Sequence, residues 1–428
     1  MRSVFLLSAL LLLDYATASA QKDSVIKPEI YGYVRGSLYG GGDKYNYSNV
    51  FGELSLKARY QRARCIAYTE LRFRSGEQFE AKYSAAEIIE AYCGYSGEKI
   101  EITLGNQIVN CGRSDGFNPT GNITASNYFF LTPNPDDQHL SNFMLRVKLS
   151  ISPQIDIDII GIPVFKASVY RYDLFDMGNN IRFEGADIPD KSFRNGSVAL
   201  KLNFEFPAIG FSLSYFRGYD PYYGFKVASV IQDKPTSAPM ITNKASPYLK
   251  NTLGFDFTLP AGSWMIRGEF AYDMTTDYKF SIHIPNPSFK YVIGIEKDIL
   301  GIKTIFQYIG KKTFDFTPLT LPESTHEILN YEFELFNRKI FNQQKSFDYA
   351  LSIMLSKYLF QETVNFELAG YFNTTSSEYY IRPKLSWNIT DNITTSLGCY
   401  YMNGPDKSVF NYSSHILNGG FAELRVSF

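Results

Sequence analysis

The sequence predicts an all-β protein: a transmembrane antiparallel β-barrel of about 18 strands, with long loops on one side and short turns on the other. Three observations carry that expectation. From Glu29 onward the chain is a procession of segments of about ten residues in which polar and apolar side chains alternate, the length a tilted strand needs to cross a bilayer. The connections between these segments alternate between long and short. Past the first twenty residues, no stretch is long and charge-free enough to be a helical span, so a membrane would be crossed by strands.

Met1 to Ala20 reads as a secretory signal peptide. Arg2 supplies the positive end, Val4 to Leu13 the apolar stretch, and Ala18-Ser19-Ala20 a small-residue cleavage site, so the mature chain begins near Gln21. The remainder, 21–428, is expected to be a single barrel domain. Only about nine residues separate the cleavage site from Ile30, which leaves no room for a plug domain there.

The first segment sets Tyr31, Tyr33, Arg35 and Ser37 against Ile30, Val34 and Leu38. The second sets Glu53, Ser55, Lys57 and Arg59 against Leu54, Leu56 and Tyr60. The third runs over Arg64–Arg74, the fourth over Ala86–Tyr95 and the fifth over Lys99–Gln107. The rest follow at about Asn142–Ile151, Gln154–Ile162, Asn195–Phe206, Gly210–Tyr219, Leu249–Leu259, Ser263–Tyr272, Ser288–Lys297, Ile302–Gly310, Ser346–Tyr358, Glu362–Phe372, Glu378–Asn388 and Ile393–Met402. The last strand sets Ala422, Leu424, Val426 and Phe428 against Phe421, Glu423, Arg425 and Ser427. Pro383 lacks a ladder donor mid-strand and predicts a bulge. Short turns are expected at places such as Ser152-Pro153, Pro207-Ala208 and Pro260-Ala261-Gly262, and long loops at about 40–49, 75–85, 108–140, 163–194, 220–248, 273–287, 311–345, 373–377 and 403–415. An even strand count puts both ends of the barrel on the short-turn side.

A charge at mid-depth on the lipid face costs roughly 2–4 kcal/mol, so the charged parity must face the lumen. That places Phe143, Leu145, Val147 and Leu149 in lipid and Arg146 and Lys148 inside. Tyrosines at strand ends, such as Tyr60, Tyr95, Tyr215, Tyr272 and Tyr358, suit the interfacial girdles. Pore-lining candidates on the strands are Arg35, Arg59, Arg72, Arg146, Lys148, Arg267, Arg382, Lys384 and Arg425. They stand among lumen acids such as Glu53, Glu70, Asp156, Asp158, Glu269 and Glu423, so neither sign dominates.

Composition agrees. Aromatics make up 16%, with 35 Phe and 32 Tyr against 4 His. The net charge of −1 gives no electrostatic case for nucleic acid. Mean hydropathy is −0.18, as expected when a polar lumen face balances an apolar lipid face. Cys65, Cys93, Cys111 and Cys399 have no metal or disulfide spacing. Cys65 and Cys93 fall on neighbouring strands, where either a disulfide or two small lipid-facing residues would fit.

The fifth strand runs into the most distinctive segment, from Gly105 to Thr120, followed by Pro135-Asp136-Asp137-Gln138-His139. Read as chemistry, it is a strand entering a loop punctuated by Gly, Asn and Pro. Gln107 and Arg113 are placed to tie that loop to the lumen wall. Folded inward, it would narrow the pore, with Asp115, Asn118, Asp136 and Asp137 as constriction candidates. The segment resembles a Gram-negative outer-membrane porin-like β-barrel family whose motif reads G-x-Q, W-G, D-x-x-N-P, then an acidic P-x-D. Gly105, Gln107, Gly112, Asp115, Asn118, Pro119 and Asp136 match; Cys111 stands where the family has Trp, and Gly121 where Asp is common.

The alternating last strand, ending in an aromatic, likewise resembles the closing strand of outer-membrane barrels. That resemblance implies residence in the outer-membrane lipid of a Gram-negative-type bacterium, insertion by the barrel assembly machinery through the C-terminal strand, Phe428 at the point of closure, and a homo-trimer. The expected function is passive diffusion of small solutes. The alternatives are a channel for hydrophobic or lipidic molecules, which an apolar lumen would support, and an adhesin or receptor acting through its long loops.

An enzyme is not expected, and neither is a cofactor or a metal. There is no H-E-x-x-H, G-x-S-x-G or phosphate-cradling loop. Asp136, Asp137 and His139 lack a partner nucleophile, and the S-x-x-K spacing at Ser96–Lys99 falls in a tight turn. In the loop at 311–345, Ser324 and Glu327 form a capping-box pattern ahead of an apolar stripe at Ile328, Leu329, Phe333, Leu335 and Phe336. Either a short helix lying across the mouth or a plain surface loop satisfies it.

Overall fold

The computed structural model describes residues 28–178, 180–231, 239–323 and 325–428. The signal-peptide reading of Met1–Ala20 and the capping box at Ser324 and Glu327 lie outside what is described.

Eighteen strands form one closed antiparallel sheet. In chain order they are β1 (Glu29–Gly40), β2 (Tyr47–Arg62), β3 (Cys65–Gln78), β4 (Ala81–Ser96), β5 (Ile100–Gln107), β6 (Asn142–Ser152), β7 (Ile155–Ile162), β8 (Ser197–Phe206), β9 (Ile209–Tyr219), β10 (Leu249–Ala261), β11 (Trp264–Thr275), β12 (Ser288–Ile299), β13 (Ile302–Thr313), β14 (Phe347–Leu359), β15 (Val364–Asn373), β16 (Tyr379–Thr390), β17 (Ile393–Asn403) and β18 (Gly419–Ser427). Each pairs with its sequence neighbours, and β1 pairs with β18 from Tyr33↔Ser427 to Gly40↔Gly420. Closure removes the free edges that a membrane does not tolerate. Phe428 completes the seam: Gly32 and Phe428 exchange two backbone hydrogen bonds of 3.0 Å. The Phe428 ring lies over the space where a Gly32 side chain would stand, so the aromatic covers a bare glycine on the lipid face.

The parity follows the charges. Val34, Phe143, Leu145, Val198, Ile353, Leu385 and Leu424 are exposed on the outer face, while Arg35, Glu53, Glu70, Arg72, Asp256 and Glu269 are buried inside. On the outer face, rings pack from strand to strand: Phe204–Phe211, Phe255–Phe270, Phe270–Phe289 and Tyr308–Tyr349 stacked and Tyr291–Tyr308 tilted, at 4.7–6.1 Å between centroids. Four cysteines are free thiols, so Cys65 and Cys93 do not form a disulfide. Cys93 lies opposite Ala67, and Cys65 opposite Tyr95.

Two local expectations are corrected. The loop expected at 75–85 is a two-residue turn, Phe79-Glu80, with φ of 51° and 61°. The polar run from Arg74 to Lys82 keeps its alternation, and β3 and β4 pair right up to the turn, with the Ser75 and Ser84 hydroxyls 2.8 Å apart. At Pro383 there is no bulge. The β16–β17 register is the same at Ile381↔Tyr401 and Lys384↔Gly398, so the ladder skips the missing donor without slipping.

The long connections pack on one another over one mouth of the barrel. Tyr39, Phe79, Phe129, Tyr172, Phe225, Phe336 and Ile416 belong to a single buried aromatic-rich cluster drawn from strand ends and five loops. Helix α1 (Thr325–Ile340) answers the lid-or-loop alternative with a helix: Phe333, Phe336, Asn337 and Ile340 are buried on one face. The Asn337 side chain pinches one residue of a loop hairpin, accepting from Phe225 N at 2.7 Å and donating to Phe225 O at 2.8 Å. Helix α2 (Val409–Leu417), not foreseen, is capped by Ser408, whose hydroxyl accepts from Asn411 N.

A candidate permeation constriction

The segment 108–141 leaves β5 and turns into the lumen rather than away from it. Its route is fixed by polar contacts to both sides of the barrel. Gly112 has φ +94°, and an added Cβ would lie 2.4 Å from Glu269 Oε2. Only glycine allows both that backbone conformation and that approach. Beyond it the loop wraps the buried Glu269 carboxylate of β11, which accepts from Thr120 N at 2.8 Å, Thr120 Oγ1 at 2.9 Å, and the backbone N–H groups of Arg113 and Ser114 at 3.3 Å each. Arg113 reaches Asp256 of β10 through Nε at 2.6 Å and also pairs with Glu205 of β8. Asp115 pairs with Arg267 of β11. Phe117 stacks on Tyr371 of β15 at 5.0 Å. Asn122 Oδ1 accepts from the buried Lys250 of β10 at 2.6 Å.

The loop then returns to the other wall. Residues Ala125–Ser126 and His139–Leu140 form a short ladder across its neck. Arg382 of β16 donates to Pro133 O, and Asn49 of β2 donates to Leu131 O at 2.8 Å. A single turn follows, Pro135–Gln138, with Asn134 as its cap. From it Asp137 enters a charged cluster: Arg35 of β1 donates to it at 2.6 Å, Arg72 of β3 at 2.8 Å and Thr132 Oγ1 at 2.9 Å. Glu53, Glu70, Arg74 and Glu423 complete the cluster; Arg35 contacts Glu53 at 2.8 Å and Glu423 at 3.3 Å. Burial alone would raise the Asp137 carboxyl, but Arg35 and Arg72 outweigh it and hold it below the usual carboxylate range.

The structure sorts the candidates. Arg35, Arg72, Arg113, Asp115, Asp137, Arg267 and Arg382 meet at the loop and its footholds. Gln107 does not tie the loop to the wall: it accepts from Thr103 at 2.8 Å and donates to Met144 O at 3.4 Å, so it joins β5 to β6. Asn118 shapes the loop from within, accepting from Thr120 Oγ1 at 3.2 Å. Asp136 donates its backbone N–H to the capping Asn134 side chain at 3.2 Å and its own side chain is exposed; the anchor is its neighbour Asp137. Arg146 with Asp158, Lys148 with Asp156, and Lys384 with Glu367 are wall pairs away from the loop. Arg425 lies 3.8 Å over the Tyr33 ring. Arg59 is exposed and has no ion-pair partner among the described residues.

Cys111 packs against the buried cluster that contains Val109, Ile123, Met144 and Ile160. Burial pushes its thiol up to about 11, so it stays protonated. Arg74 stands outside the candidates read from the sequence: it shares a face with Arg72 and binds Glu53 and Glu87, but it falls at the end of the alternating segment, where parity is not legible.

A closed 18-strand barrel with a loop pinned across its lumen is the architecture of outer-membrane channel proteins. Solved structures with which it compares well share that fold. The outer membrane protein OpdK of Pseudomonas aeruginosa superimposes with a TM-score of 0.55 at 9% identity, covering 94% of this chain and 98% of that one. The same protein solved with vanillate gives 0.55 at 8% identity, covering 93% and 97%. OccAB3 of Acinetobacter baumannii gives 0.53 at 9%, covering 94% and 98%. No protein-family model matches the chain, and no curated protein does.

Proposed function

We propose that the protein is an outer-membrane channel of a Gram-negative-type bacterium, through which small polar solutes diffuse passively and are selected at the loop 108–141. The carrying observation is that this loop is fixed to opposite walls, by Arg113 and Glu269 contacts at one end and by Asp137 with Arg35 and Arg72 at the other. A loop held so is a fixed constriction, and charged side chains around it set which solutes pass. Export through the signal peptide, insertion by the barrel assembly machinery through β18, and a homo-trimer belong to the same reading. The lumen-facing charges favour it over a channel for lipidic molecules. The packing of the long loops onto one another and into the lumen favours it over an adhesin.

The test is conductance of the refolded protein in a planar bilayer under a salt gradient. Steady unitary steps are expected, with a reversal potential that shifts when Arg113 or Asp115 is neutralised. Because OpdK was solved with vanillate, small aromatic carboxylates are the first solutes to add, and they should block the steps in a concentration-dependent way. A folded protein that yields no steps overturns the channel reading.

A further inference from the structure

The barrel wall is incomplete beside β4. This strand pairs with β3 along its whole length, from Ala81 to Ser96. On its other side, β5 is eight residues long and covers it only from Ala91 to Ser96. The chain then turns inward as the constriction loop. On this side the outer part of β4, residues 81–90, has no strand paired with it among the described residues, and a bulge at Ile89 bends it further.

The lower end of this edge, at Ile88, lies at hydrocarbon depth. Ile88 sits eight residues above Ser96, about 26 Å along a strand and roughly 20 Å above the inner rim at a tilt of about 40°, within an apolar band about 25 Å tall. Ile88 is exposed on the lipid face. Backbone without a partner is tolerated at that depth where it is buried in protein or lines a water-filled cavity. A cavity of about 260 Å³ lies against the edge. Ile88 and Leu140 line it beside Phe130, and Arg74 and Asp137 of the lumen cluster also line it. Its lining therefore draws both on the lipid-facing Ile88 and on the lumen cluster.

One cation in the cavity is uncommitted. Lys166, on the segment after β7, donates to Ser141 O at 2.6 Å and forms no ion pair among the described residues. Arg74 is taken by Glu53 and Glu87, and Asp137 by Arg35 and Arg72. One free ammonium among acids already present suits a single negative charge and disfavours two.

We propose that this cavity is a lateral port in the barrel wall that takes a single-chain monocarboxylate amphiphile, its head on Lys166 and its chain leaving past Ile88 toward the bilayer. This is a second path, separate from axial diffusion of polar solutes.

The probe is a terminally brominated dodecanoate, and the reporter is Phe130→Trp in full-length protein whose Trp264 and Trp387 are replaced by Phe. Saturable quenching of the reporter is expected. The half-saturating concentration should rise at least tenfold in Lys166→Glu and by less in Lys166→Met. A brominated dodecyl-trimethylammonium should not quench saturably. Heat-modifiable migration on a gel checks that each variant is folded, and Leu140→Trp serves as reporter if Phe130→Trp does not fold. Quenching that grows linearly with probe, or that is unchanged in Lys166→Glu, overturns the proposal. Ion conductance recorded on Lys166→Glu should match the parent. Loss of conductance in the parent would sink the axial channel without touching the port.

Discussion

The constriction loop is held at both ends by arginine–carboxylate pairs, but in different surroundings. At the Asp137 end, the side chains of Arg35, Asp137 and Arg72 are 1%, 4% and 11% exposed. At the other end, Arg113 is 20% and Glu205 52% exposed. The same chemistry is therefore worth different amounts. In the desolvated cluster, each charge depends on its partners, and removing one leaves others buried and uncompensated, at about 3–5 kcal/mol. In the wetter pair, water and salt screen the attraction, which leaves about 1 kcal/mol or less. Asp256 is buried, yet it has a second cation in Lys201 at 3.1 Å, so losing Arg113 does not strand it.

The comparison can be broken most directly at Asp137. Asp137→Ala should cost several kcal/mol of stability, on the order of the 3–5 kcal/mol for a broken buried pair, and should free the loop's return limb. Denaturant unfolding checks the first effect; larger, noisier conductance steps check the second. Next comes Glu269→Ala, which leaves three loop N–H groups without their acceptor. At about 1–3 kcal/mol for unsatisfied buried groups, it should loosen the outgoing limb, read as protease cutting between Gly112 and Gly121 in intact protein. Arg113→Met should be the mildest for stability, at about 1 kcal/mol or less. Its signature is a change in ion selectivity that fades as salt is raised.

Acidity sharpens the contrast. Because Asp137 titrates lower in the folded protein than in the unfolded chain, its contribution is present above the ordinary carboxylate value of about 3.9 and is lost as pH falls through the lower folded value. The part of the conductance that depends on Asp137 should hold steady down to about pH 4 and change only below it. Asp137→Asn should remove that acid transition; a transition kept in Asp137→Asn would place its origin elsewhere.

The barrel was legible because alternation has one meaning in a bilayer. Phe143 and Leu145 cannot trade faces with Arg146 and Lys148 without placing charge in lipid, so strand, parity and neighbour order follow together. The loop was legible only as a loop with candidate footholds. Asp136 and Asp137 are the same residue type one position apart; which one meets Arg35 depends on the turn capped by Asn134, a three-dimensional fact. Gln107 reads as a tether in the sequence because it stands where the strand runs into the loop, yet its amide reaches only strand neighbours. The Phe79-Glu80 turn was hidden because polar residues projecting beyond a membrane look the same in a hairpin as in a coil. Helix α2 lies in a segment too short to show its period against noise.

The seam between β1 and β18 bears on how the molecule comes to exist. Gly32 meets Phe428 there, and Arg35 contacts Glu423 across 388 positions of chain. Seventeen strand pairings are between sequence neighbours and can form as each hairpin arrives; this one waits for the whole chain. Until it forms, two open edges stand ready to pair with whatever edge is near, including those of another copy. The order of events in biogenesis therefore ends at the seam, and the period before it closes is when the barrel needs protection.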